Sequence, residues 1–175
     1  MQNIFAFIII ILISPALLFI LILVFLHDFS NPIYSGKRIG KNGIIFYQFK
    51  FRSMKINQKI NFQSTGDNDE RITTIGKFLR KYKLDELPQL FNILLNNMKF
   101  VGPRPNVLSE TSKYFENERK LLTVKPGITD FSSIVFSDEG SILEFSENPD
   151  QDYNELIRFW KSSLGLIYIK HRSFF

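Results

Sequence analysis

Between Ile4 and Leu26 the chain carries no charged residue, and that run constrains the fold more than any other feature. As a helix rising ~1.5 Å per residue it reaches about 34 Å, enough to cross a hydrocarbon core of ~30 Å. A secretory signal peptide fits less well, because it has a basic start, a shorter apolar stretch and a small-residue cleavage site. Ser14-Pro15 sits near the middle. Proline there removes a backbone donor and crowds the carbonyl four residues back, and the Ser14 hydroxyl is placed to satisfy a freed carbonyl. Two geometries follow: a bent spanning helix, or a helix-break-helix that dips into one leaflet and returns. Hydropathy alone favours spanning. Lys37, Arg38 and Lys41 follow the segment, which places the bulk of the protein on the cytoplasmic side.

With residues 1–30 counted as a membrane anchor, residues 31–175 form a single domain. The 22 Lys plus Arg exceed the 17 Asp plus Glu, a balance that suits anionic headgroups, nucleotides or nucleic acid. No cysteine is present, which excludes disulfides, thiolate zinc sites and a thiol nucleophile. The 19 Phe suit core packing and aromatic contact with a bilayer interface.

Ile33 to Ile39 reads as a strand, Gly40-Lys41-Asn42-Gly43 as a hairpin turn, and Ile44 to Phe51 as the returning strand. Alternation in the second strand sets Tyr47, Phe49 and Phe51 on a packing face, and Gln48, Lys50 and Arg52 on a face that can hold an anion. Lys55 to Arg71 is polar. Ile75, Phe78, Leu79 and Tyr82 recur at helical spacing, as do Leu87, Leu90, Phe91, Leu94 and Met98. Because proline is tolerated in a first turn, Pro88 puts the start of the second helix near Asp85 or Glu86. A further helix is expected from Val107 to Leu122. Tyr153 to Phe175 reads as amphipathic, with Leu156, Ile157, Trp160, Leu164 and Ile167 set against Arg158, Lys161, Lys170 and Arg172, a pattern that suits a membrane surface. The expected architecture is α+β and helix-dominated, with a small β-hairpin and amphipathic interfacial helices.

Asp85-Glu86 admits a plain meaning, an acidic helix N-terminus. It also admits a chemical one, in which a carboxylate attacks phosphorus and the pair holds Mg2+. A diphosphate would be repelled unless cations neutralised it, and Lys50, Arg52, Arg80 and Arg104 are available. Arg104, between Pro103 and Pro105, is a guanidinium on a stiff support. His27 and His171 lack partners at metal-ligand spacing, and no P-loop or dinucleotide fingerprint occurs. A second reading, from another class, is a non-catalytic membrane-anchored basic protein that binds lipid or nucleic acid.

Lys50-Phe51-Arg52-Ser53-Met54, Ile75-Gly76-Lys77-Phe78-Leu79-Arg80, Leu84-Asp85-Glu86-Leu87-Pro88-Gln89-Leu90-Phe91-Asn92, Val101-Gly102-Pro103-Arg104-Pro105 and Lys125-Pro126-Gly127-Ile128-Thr129 occur in this order. In that order they resemble the bacterial sugar transferase family, the monotopic polyprenyl-phosphate phosphoglycosyl transferases. The resemblance implies transfer of a sugar 1-phosphate from a UDP-sugar to polyprenyl (undecaprenyl) phosphate, releasing UMP, as the first membrane step of surface glycan synthesis. It implies Asp85 as the nucleophile that forms a covalent phosphosugar, Glu86 and Mg2+ as assistants, and Arg80 and Arg104 as phosphate ligands, with Lys50 and Arg52 lining the same site. It also implies a re-entrant anchor around Ser14 and Pro15, in place of a spanning one, at the cytoplasmic face of the bacterial inner membrane. The expected partners are then UDP-sugar, polyprenyl phosphate and membrane lipids, with no nucleic acid. Thr129-Asp130-Phe131 stands where Thr-Gly-Trp is frequent in the family, a variation compatible with a different sugar pocket.

Overall fold

The apolar run forms one helix, α1 (Gln2–Asp28), with Pro15 inside it. Pro15 has no N–H for the carbonyl of Ile11, and the Ser14 hydroxyl donates to that carbonyl at 2.8 Å, so the expected substitution of donors is present. The expected break is absent at the level of secondary structure: α1 is helical through Ser14-Pro15. The computed structural model describes residues 1–56 and 64–171. Part of the polar stretch Lys55 to Arg71, and Arg172 to Phe175 of the expected C-terminal amphipathic segment, lie outside the described residues.

Strands β1 (Ile33–Ile39) and β2 (Ile45–Phe51) pair antiparallel, from Ile33 opposite Phe51 to Ile39 opposite Ile45. The turn between them is a single 3-10 turn, Lys41–Gly43, in which Asn42 and Gly43 take positive φ. Helix α2 (Thr74–Lys81) begins under a Thr73 cap, whose hydroxyl accepts from the Gly76 N–H at 2.9 Å. A 3-10 turn at Leu84–Glu86 leads to α3 (Gln89–Leu94). The helix therefore starts later than expected. Lys83 at φ 55° sets the turn, Pro88 stands at the N-cap, and Asp85 lies inside the turn rather than at a helix cap.

The face assignment of β2 is also corrected. Tyr47 is half exposed, whereas Phe46 and Gln48 are buried, and the Gln48 amide donates to Gln89 of α3 at 3.1 Å. The side expected to hold an anion is the one α3 covers at Gln48, and its Lys50 meets the Glu86 carboxylate. Asn92 completes this contact. Its amide donates to the Tyr47 carbonyl at 2.7 Å and its side-chain oxygen accepts from the Phe49 N–H at 2.9 Å, so a side chain pairs with the strand edge as another strand would.

Two short strands, β3 (Lys99–Val101) and β4 (Gly127–Thr129), pair in parallel. The helix expected from Val107 to Leu122 is divided into α4 (Leu108–Thr111) and a 3-10 segment, Glu118–Thr123. After it come α5 (Phe131–Val135), α6 (Glu139–Ile142) and α7 (Pro149–Asp152), then a π-helical turn at Tyr153–Arg158 that runs into α8 (Phe159–His171).

Helix α1 supplies part of both apolar cores. Ala6 packs with Phe46, Leu90, Ile93 and Met98, and Ile20 and Val24 pack with Phe51 and Leu79. The remaining faces of α1 expose Phe5, Phe7, Leu12, Leu18 and Phe19. The C-terminal helical segment is inverted relative to a water-facing helix. Ile157, Ser162, Gly165 and Tyr168 are buried while Leu156, Phe159, Trp160 and Ile167 are exposed. Its cations turn inward: Arg158 meets Glu118 at 3.2 Å and Lys161 meets Glu139 at 2.5 Å.

Candidate active site

Asp85 and Glu86 are neighbours on one 3-10 turn, yet their surroundings differ. The Glu86 carboxylate accepts from Lys50 Nζ at 2.8 Å and is forked by the Arg104 guanidinium, through Nη2 to Oε1 and through Nη1 to Oε2, the latter at 3.3 Å. Burial pushes the Glu86 carboxyl up, but Arg104 and Lys50 override it and hold the group far below the ordinary glutamate range. Asp85 is 6% exposed, and among the described residues its carboxyl has no hydrogen bond or ion pair. Burial, with a smaller contribution from Glu86, raises the Asp85 carboxyl above its ordinary range, although Lys50, Arg80 and Arg104 pull it down. One carboxylate is thus clamped and the other is left undirected in a cationic field.

The scaffold explains why these groups meet. Lys50 comes from the β2 face that Asn92 and Gln89 hold against α3, and Glu86 comes from the turn that opens α3. Arg104 rides on a loop clamped on both sides. Gly102 N–H donates to the Thr129 carbonyl at 3.0 Å, Gly127 N–H to the Pro103 carbonyl at 3.0 Å, and Ile39 N–H to the Asn106 carbonyl at 2.9 Å. The crossing requires glycine, since a Cβ on Gly127 would lie 2.2 Å from Gly102 N. Arg80 donates from Nε to Ser53 Oγ at 2.9 Å.

Arg52 is the exception among the expected site residues. Its guanidinium forks onto Asp28 at 2.5 and 2.6 Å, and its Nε donates to the Asn31 carbonyl at 2.7 Å. It therefore ties the end of α1 to the end of β2. The reason is chain geometry: β2 ends at Phe51, so alternation with Lys50 no longer fixes where residue 52 points.

A cavity of about 400 Å³ opens beside Glu86 and Arg104. Its lining includes the apolar Ile9 of α1, Leu90 and Phe100 and the polar Thr129, Ser133, Glu139 and Lys161. Asp85 is not among its walls, although Lys83, Glu86 and Leu87 are. Sequence reasoning did not single out Glu139 or Ser133; the ion pair of Glu139 with Lys161 spans 22 positions and leaves no local pattern. Among the described residues no group of three or more His, Asp or Glu is placed to hold a metal ion. Asp85 and Glu86 are the carboxylates that could share a divalent ion with oxygens of a bound phosphate. Among the described residues Glu86 Oε2 has only the long Arg104 contact and is the more open of its two oxygens.

The chain is similar to named sugar-phosphate transferases. It is 39% identical over 161 residues to a UDP-glucose:undecaprenyl-phosphate glucose-1-phosphate transferase of Escherichia coli, covering 89% of this chain and 34% of that protein. It is 35% identical over 149 residues to an undecaprenyl-phosphate galactose phosphotransferase of Salmonella typhimurium, covering 76% of this chain and 29% of that protein. A putative undecaprenyl-phosphate N-acetylgalactosaminyl 1-phosphate transferase of Bacillus subtilis is 44% identical over 98 residues, covering 55% of this chain and 54% of that one. The chain thus spans about a third of the length of the first two relatives. A family model described as bacterial sugar transferase matches residues 1–175, and the chain belongs to that family.

Proposed function

We propose that the protein transfers a sugar 1-phosphate from a UDP-sugar to a polyprenyl phosphate at the cytoplasmic face of a bacterial membrane, in the first membrane step of a surface glycan. The observation that carries this reading is the division of labour between adjacent carboxylates. Glu86 is fixed by Lys50 and Arg104, and Asp85 is buried with no hydrogen-bond partner among the described residues. A poorly solvated anion near fixed cations is suited to attack on phosphorus.

In the proposed reaction an Asp85 oxygen bonds to the β-phosphorus of the donor as the bond from that phosphorus to the bridging oxygen breaks. UMP leaves with the electron pair. A phosphate oxygen of the lipid then bonds to the same phosphorus, and the Asp85–phosphorus bond breaks to give the polyprenyl diphosphate sugar. Arg104, a third exposed, is the cation positioned to turn from Glu86 toward the incoming diphosphate; Arg80 and Lys50 hold the charge behind it. When bound, Mg2+ would draw charge from the phosphoryl oxygens, and Asp85 and Glu86 are the residues that would hold it.

Membrane attachment is supported by α1, which is long and apolar enough to cross a bilayer. Its contacts with the domain run from Ala6 to Val24. A helix standing upright across the bilayer would carry the exposed Asn96 and Lys99, which lie by the start of α1, away from the surface where α1 ends, so we infer a monotopic, re-entrant placement at one surface. The outward apolar residues of α8 support the same orientation. The non-catalytic basic reading is less well served, because Lys50, Arg52, Arg71, Arg104, Arg158 and Lys161 are all paired with carboxylates.

Incubation with UDP-sugars labelled in the β-phosphate tests the reading. The wild type retains label on protein and releases UMP, and Asp85→Asn does neither. Label that persists on Asp85→Asn would remove Asp85 from the proposed role.

A further inference from the structure

We propose that the Glu139–Lys161 ion pair reads the hydroxyl groups of the donor's sugar and sets which UDP-sugar is accepted. The proposal rests on the transfer reaction above and assigns the sugar's place within the same cavity. Lys161 Nζ lies 2.5 Å from Glu139 Oε2, with side-chain exposures of 14% and 32%. The ammonium is also 5.3 Å from the centre of the Tyr153 ring. Both members of the pair line the same cavity as Glu86 and Arg104.

The charge balance of this pair differs from that around the carboxylate dyad. Lys50, Arg80 and Arg104 are three cations acting on Asp85 and Glu86, whereas Glu139 and Lys161 bring one anion and one cation beside the hydroxyls of Thr129 and Ser133 in the cavity lining. Ser133 donates its hydroxyl proton to Asp130 at 2.8 Å, so its remaining lone pairs serve as acceptors. Glu139 and Lys161 cancel each other's charge, so a phosphate finds no net attraction there. A pyranose ring presents hydroxyls that both donate and accept, and a fixed carboxylate beside a fixed ammonium complements a vicinal pair of them. The pair also joins α6 to α8, so its position is set by helical backbone rather than by a free loop.

The test uses the full chain in lipid nanodiscs with undecaprenyl phosphate. UMP release is measured from UDP-glucose, UDP-galactose and their N-acetylamino counterparts, and UMP inhibition is measured in parallel. Glu139→Gln and Lys161→Met are expected to change the ratio of kcat/KM between two epimeric donors by about ten-fold or more. Inhibition by UMP, which has no sugar, is expected to stay within about two-fold. The double variant Glu139→Lys with Lys161→Glu restores an ion pair with donor and acceptor exchanged. It should recover the thermal midpoint and leave the donor ratio altered. Recovery of both would mean that the pair is purely structural and would overturn the proposal. A parallel change in UMP inhibition with unchanged donor ratios would place the uracil, not the sugar, on this wall, and would overturn it equally. Should Lys161→Met fail to fold, Lys161→Arg, which keeps the charge and changes its reach, is expected to shift the ratio, and an unmoved ratio would count against the proposal. No UMP release by the wild type from any donor would instead remove the transfer reaction itself. Release with donor ratios unmoved by the variants removes the sugar assignment alone.

Discussion

Replacing Asn92 with Leu, which is close in volume, should leave two backbone groups of β2 without partners. Asn92 is fully buried. Its side chain takes the Phe49 N–H at 2.9 Å and gives to the Tyr47 carbonyl at 2.7 Å. Leucine fills the space and offers neither bond. Each buried group left unpaired costs about 1–3 kcal/mol, so the pair costs about 2–6 kcal/mol. For a chain of 175 residues, roughly 2–4 °C per kcal/mol applies, which puts the fall in thermal midpoint at about 5–20 °C. The effect should extend to chemistry. The same contact holds Lys50 of β2 against Glu86 of the turn before α3, so phosphosugar labelling should fall below the wild type even at temperatures where the variant stays folded. The assay is a thermal unfolding series in nanodiscs, paired with labelling at about 15 °C. Asn117→Ala, at an exposed position, serves as control and should move the midpoint by no more than about 2 °C. An Asn92→Leu protein that melts within about 2 °C of the wild type would refute the claim that a side-chain amide stands in for a missing strand.

Other consequences can be checked directly. Gly127→Ala places a Cβ 2.2 Å from Gly102 N; the Arg104 loop must shift, at a cost of about 1–3 kcal/mol, and labelling should drop with stability. Burial works to raise the Glu118 carboxyl, but bonds from Ser162, the Phe115 N–H and Arg158 bring it below its ordinary 4.5. A lowered carboxyl stabilises the fold above that value and ceases to do so as the pH falls through the folded-state pKa. The difference in thermal midpoint between wild type and Glu118→Gln should therefore be largest near pH 7 and shrink below about pH 4.5; a difference independent of pH would contradict the assignment. The chain contains no cysteine, so Gln2→Cys and Lys37→Cys can each be reacted with a membrane-impermeant maleimide. Under monotopic attachment both react in inside-out vesicles and neither reacts in intact spheroplasts, whereas external labelling at residue 2 would show that α1 spans.

Local chemistry made some of this fold legible. The Ser14 hydroxyl covering the Ile11 carbonyl follows from proline's missing donor, and the hairpin follows from alternation on both sides of Gly40 to Gly43. The features that were not legible depend on partners far along the chain. The packing face of β2 was legible only in part: Phe51 is buried as expected, but aromatic residues mark an apolar environment that need not be the protein's interior, and Tyr47 is half exposed where Gln48 is buried. The residues that look like a core on α8, Trp160 and Ile167, point outward for the same reason; the small Ser162 and Gly165 let that helix approach Leu121 and Pro103. Strands of three residues paired in parallel, such as β3 and β4, leave almost no periodic signal. At the candidate site, elementary chemistry supplied a dyad and a set of cations. It could not separate Lys50, which reaches Glu86, from Arg52, which reaches Asp28. Likewise, the late start of α3 depends on the left-handed backbone of Lys83, which a lysine does not advertise.

The manner in which α1 is built into the molecule means that it cannot be treated as a tether to be cut away. Deleting it would strip cover from Phe46, Phe51, Leu79, Leu90 and Ile93 at once, and the remaining polypeptide would aggregate rather than yield a water-soluble enzyme. Biogenesis is constrained in the same way. The domain completes its two apolar clusters only with the first helix in place, so seating of α1 and maturation of the domain are coupled.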